Sequence, residues 1–78
     1  MIIKVNRATK HTLFVAFLYS ISRMKEELQA TIESHGENSS FADKVRFELK
    51  ILERTKNHID QAKENEQGIS EIYIVESW

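Results

Sequence analysis

Residues 13–32 read LFVAFLYSISRMKEELQATI, and this stretch decides the fold. Leu13, Phe14, Phe17, Leu18, Ile21, Met24, Leu28 and Ile32 recur at helical spacing and share one face. The pattern predicts a helix over residues 10–33, with Thr9 as its N-cap. Val15, Ala16 and Tyr19 fall on the opposite side, so the first half of the helix is apolar nearly all round. A helix segment of that kind is expected to be buried on both sides. The second half carries Arg23, Glu26, Glu27, Gln29 and Glu33, an ordinary wet back.

Ser34-His35-Gly36-Glu37-Asn38 breaks the pattern, and Gly36 suits a helix C-terminus. Ser40 is expected to cap a second helix over residues 41–64, with Asp43 in the position a capping box reserves for an acid. Phe41, Val45, Leu49, Leu52 and Ile59 form its stripe, and Phe47, Ile51 and Ala62 widen it. The short connection makes the two helices an antiparallel hairpin.

Both flanks of the hairpin are β-like. Ile2, Ile3 and Val5 predict a strand over residues 2–5, and a second strand is expected over residues 69–76. The hairpin returns the chain to its starting end, so the strands are expected to pair antiparallel. The fold class is therefore α+β, in the order β-α-α-β, as one domain spanning residues 1–78. A two-stranded ribbon is marginal alone, and dimerisation is the expected completion.

Composition supports that expectation. A chain of 78 residues buries only about 60% of the surface its unfolded form exposes. The absence of cysteine excludes disulfides and fits a cytoplasmic location. With no proline and two glycines, the chain is expected to hold long elements and few loops. Lys4, Arg7 and Lys10 before the apolar run 13–21 trace the outline of a signal peptide. The apolar period continues past that run, and a strand precedes it, so the helix reading is preferred. The run falls short of the roughly 20 residues that cross a membrane, and no membrane association is expected.

Catalytic signatures are lacking. Two isolated glycines make no phosphate loop, and no G-x-S-x-G elbow occurs. His11 and His58, near one end of the hairpin, are the nearest approach to a metal pair, with Asp60 as a third donor. Their spacing matches no ligand motif, so neither metal nor cofactor is expected. The acids Glu26, Glu27, Asp60, Glu64 and Glu66 fall on predicted wet faces. The chain is not expected to be an enzyme.

Two surface features stand out. Arg46, Lys50 and Arg54 step at i, i+4 and i+8 along one face of the second helix. The row suggests an anion site for nucleic acid or nucleotide phosphates, blunted by Asp43 on the same face. The other feature is apolar excess. Ile72 and Ile74 alternate with Tyr73 and Val75, giving a strand apolar on both faces, and Trp78 is in phase with the first pair. Phe47, Ile51, Tyr73, Val75 and Trp78 are the expected partner interface. The function expected from these features is a small protein-binding regulator or inhibitor that acts as a homodimer or higher oligomer on a larger protein. Chains of this kind occur among the accessory proteins of phages and mobile elements. The binder of nucleic acid or nucleotide phosphates is the alternative.

Overall fold

The computed structural model describes residues 1–74 and follows the expected order. Strand β1 (Ile2–Asn6) leads into helix α1 (Arg7–His35), then helix α2 (Ser40–Gln61) and strand β2 (Ile69–Tyr73). β1 and β2 pair antiparallel, with Ile3 opposite Ile72 and Val5 opposite Ser70. The ribbon lies across the open end of the hairpin. β2 approaches both helices, whereas β1 approaches α1 alone.

α1 starts three residues earlier than the spacing predicts, because Asn6 and not Thr9 is its cap. The Asn6 side chain accepts a hydrogen bond from Thr9 N at 2.8 Å. Asn is among the strongest capping residues, and here it ends β1 and opens α1 with no intervening loop. Gly36 closes α1 at φ +91°, a backbone conformation that L side chains rarely adopt, with its N–H on Ile32 O.

α2 is capped by Ser39, not Ser40. Ser39 Oγ accepts from Ala42 N at 3.1 Å. The shift of one residue takes Asp43 out of the capping-box position, and its carboxylate receives Arg46 at 3.2 Å instead. The far end of α2 stops at Gln61, short of the predicted Glu64. Tertiary contacts win there over helical spacing. The Lys10 ammonium donates to Ala62 O, Arg7 grips Glu64, and Glu64 forms a β-bridge with Ser70. Asn65 then makes the turn into β2, accepting from Gln67 N and Ile69 N through its side chain.

The core is thin. Among the described residues the buried apolar side chains are Ile21, Ala42, Val45, Ile59 and Ile72. The molecule measures 50 × 22 × 13 Å, and its radius of gyration of 15.0 Å exceeds the roughly 11.5 Å of a compact domain of this length. Two features read from the sequence as core lie outside it. Leu18 belongs to the predicted stripe of α1 yet is 43% exposed. Phe41, at the first turn of α2, is also exposed and stacks on His35, with ring centroids 4.4 Å apart.

β2 is covered on one face only, contrary to its apolar pattern. Ser70 and Ile72 are fully buried beneath the ribbon, while Glu71 and Tyr73 face solvent. Ile74 extends the pairing by one residue through a 2.7 Å bond to Met1 O. The rest of the predicted strand, including Val75, lies outside the described residues, as does Trp78.

Candidate functional site

The basic row on α2 forms as its spacing requires, but its members differ. Arg46 is drawn back onto the helix turn. Its Nη1 donates to Glu37 O at 2.8 Å and to Asp43 Oδ1 at 3.2 Å. Lys50 and Arg54 lie further along the same face and are exposed. With Phe47, Glu53 and Asn57 they line a shallow groove of about 450 Å³. Glu53 sets an anion inside this groove, which weakens its pull on phosphate.

The predicted apolar interface divides. Phe47 is 49% exposed and Tyr73 55%, while Ile51 is half-buried one turn from Phe47. Tyr73 is held against α2 by His58. The His58 ring stands edge-on to the tyrosine at 5.6 Å, and Nδ1–H donates to Tyr73 O at 2.9 Å. His58 is thus committed to the strand. His11 lies elsewhere, beside Asp60, so the metal pair considered from the sequence does not assemble. Among the described residues no group of three His, Cys, Asp or Glu is placed to hold a metal.

His11 and Asp60 belong to a pocket of about 250 Å³ at the open end of the hairpin, floored by Phe14 and Ile59. Arg7, Lys10 and Glu64 complete its wall. Two of its cations are already engaged: Arg7 donates to both Glu64 oxygens at 2.7 and 2.8 Å, and Lys10 bonds Ala62 O. The pocket is smaller than the roughly 300–1,000 Å³ usual for ligand sites. Its chemistry is that of a clamp joining the start of α1 to the chain beyond α2. Sequence reasoning missed this clamp, because its partners lie 57 residues apart and match no local pattern.

The Arg7 hydrogen bonds hold the Glu64 carboxyl below its ordinary pKa, with the charges of Arg7 and Lys10 adding to the effect and partial desolvation opposing it. Folding therefore gains from the pair above the ordinary value of 4.5, and loses that gain as pH falls through the depressed value. Arg7→Gln is expected to lower the melting temperature at neutral pH by a small amount, since the pair is exposed. The gap to wild type should close in acid. A gap that persists below the carboxylate range would show that Arg7 acts through something other than Glu64.

Large apolar side chains are also exposed on α1. Val15, Leu18 and Tyr19 are 48%, 43% and 64% exposed, on the side of α1 turned away from α2. The sequence marks these positions as apolar all round, and that pattern implied cover on both sides. Among the described residues nothing covers them on that side. Next to them, Tyr19, Ser20, Arg23, Met24 and Leu52 line an open apolar groove. Among the described residues no helix is long and apolar enough to cross a membrane.

The fold and surface together define a helical hairpin with a two-stranded ribbon and an uncovered apolar flank. No protein family, curated protein or solved structure matches the chain.

Proposed function

We propose that this chain is a small non-enzymatic protein-binding module, a regulator or inhibitor of a larger protein, acting in the cytoplasm as a homo-oligomer. One observation carries the reading. Large apolar side chains are exposed on two sides of the hairpin: Val15, Leu18 and Tyr19 on α1, and the half-exposed Phe47 on α2. Contiguous exposed apolar surface on a small domain marks an interaction site. Two separate surfaces suit two tasks, self-association and capture of a partner. An accessory role in a phage or mobile element is consistent with such a design.

The test is co-purification from the native host with tagged wild type and Phe47→Glu. One protein recovered with wild type and lost with Phe47→Glu is the expected result. Equal recovery with both would remove the α2 surface from the proposal, and recovery of no specific protein would oppose the function itself.

The groove at Lys50 and Arg54 supports a second reading, the binding of nucleic acid or nucleotide phosphates. It ranks lower because Arg46 is spent on Glu37 and Asp43 and because Glu53 shares the groove. A titration with a single-stranded DNA oligonucleotide at low salt should give no binding. Binding that weakens steeply with salt and is lost in Lys50→Glu would reverse the ranking.

A further inference from the structure

The two helices end by different means. α1 stops at a local signal, Gly36 at φ +91°. α2 has no such signal. It ends at Ala62 in an extended conformation, φ −67° and ψ 130°, with the Ala62 N–H on Ile59 O at 3.3 Å. Ala62, Lys63 and Glu64 are all good helix formers, and neither glycine nor proline occurs before Gly68. Ala62 also continues the inner stripe of the helix. Thr55 and Ile59 are buried, Ala62 is half-buried, and the three stand at i, i+4 and i+7. Local sequence therefore favours a helix through Glu64.

What stops α2 comes from the other end of the chain. Arg7 donates to both Glu64 oxygens at 2.7 and 2.8 Å, across 57 residues. The Lys10 ammonium donates to Ala62 O, across 52 residues. These ties hold the segment where Glu64 bridges Ser70 of β2. A β-bridge requires extended backbone, so the bridge and a helical Glu64 exclude each other.

The next turn limits the alternative. Asn65 accepts through its side chain from Gln67 N at 2.9 Å and Ile69 N at 3.0 Å, and Gly68 N donates to Asn65 O at 3.0 Å. With that turn intact α2 can grow by three residues, a rise of about 4.5 Å. Growth turns the Ala62 N–H from Ile59 O to His58 O, and directs the Lys63 and Glu64 N–H groups to Ile59 O and Asp60 O. It gives up the Glu64–Ser70 bridge and the two side-chain ties. The clamp is then what opposes growth. It is weakly held, because the Arg7 side chain is 83% exposed and exposed ion pairs contribute little.

We infer that residues 62–64 form a latch with two states. In the closed state, seen here, Arg7 and Lys10 hold the segment extended against β2. In the open state α2 runs to Glu64, and β2 loses its bridge at Ser70. The β1–β2 register involves none of residues 62–64, so the ribbon pairing survives opening. The latch thus loosens the ribbon from the hairpin at one point while both stay folded.

Backbone chemical shifts of residues 62–64 read the latch directly. In the wild type they are expected at extended values. Arg7→Gln combined with Lys10→Gln should move all three to helical values and remove the Glu64–Ser70 cross-strand contact. The shifts of α1, those of α2 up to Ile59, and the Ile3–Ile72 cross-strand contact should stay as in the wild type and report a folded protein. Each single variant should fall between. Adding Ala62→Gly to the double variant should cut the helical population about fivefold, since glycine disfavours a helix to that extent. Extended shifts in the double variant would overturn the inference, because the Asn65 turn and not the clamp would then stop α2. Coil shifts at residues 62–64 would overturn it too, since the segment would then merely fray. Should the double variant unfold, the single variants decide. Movement toward helical values supports the latch, and no movement, or movement to coil, overturns it.

Discussion

Ile59→Ala is expected to lower the stability of the protein by about 2–5 kcal/mol, a large share of the total. Ile59 is fully buried and lies where α2, the floor of the open-end pocket and the ribbon converge. Truncating a buried isoleucine to alanine costs about 2–5 kcal/mol, through lost transfer energy and the cavity left behind. A domain of 78 residues holds about 4–12 kcal/mol in all, from roughly 0.05–0.15 kcal/mol per residue. Among the described residues few other buried apolar side chains are present to absorb the loss. Leu28→Ala, at a half-buried site on α1, is expected to cost clearly less. Urea denaturation followed by helical circular dichroism measures both. An Ile59→Ala midpoint close to wild type would mean that the core lies elsewhere.

Ser70→Ala is expected to act in the opposite direction and stabilise the fold. Ser70 is fully buried, and its Oγ has no hydrogen-bond partner among the described residues. Burying a hydroxyl without a partner costs about 1–3 kcal/mol. Thr55, the other buried polar residue, avoids that cost by donating from Oγ1 to Ile51 O at 2.9 Å. Alanine keeps the Ser70 backbone pairing with Val5 and the bridge to Glu64, and removes only the stranded oxygen. The denaturation midpoint should rise by an amount equivalent to about 1 kcal/mol or more. A fall would mean that the hydroxyl is satisfied in solution, for example by a buried water.

The helices and their pairing were legible in the sequence because they rest on periodicity. The spacing from Leu13 to Ile32 and from Val45 to Ile59 identifies two amphipathic elements, and Gly36 marks the turn between them. The β-branched runs at each end identify the strands. Local chemistry misled at the boundaries. Thr9 and Ser40 look like caps, but Asn6 and Ser39 hold the positions, a displacement that side-chain identity alone does not resolve. The end of α2 was not legible, since Arg7 and Lys10 draw residues 62–64 out of the helix from the other end of the chain.

The surface was legible in kind but not in place. An excess of apolar side chains is visible in the composition of both helices. Which of them a single ribbon leaves bare depends on where five-residue strands sit on a hairpin about 44 Å long. The ribbon takes the open end and leaves the α1 flank uncovered.

Self-association is proposed to complete the fold, and light scattering of the wild-type protein across a micromolar concentration series decides it. A mass of at least twice the 9.1 kDa chain is expected, with a melting temperature that rises with concentration. A mass of 9.1 kDa throughout the series, with a melting temperature independent of concentration, would contradict it.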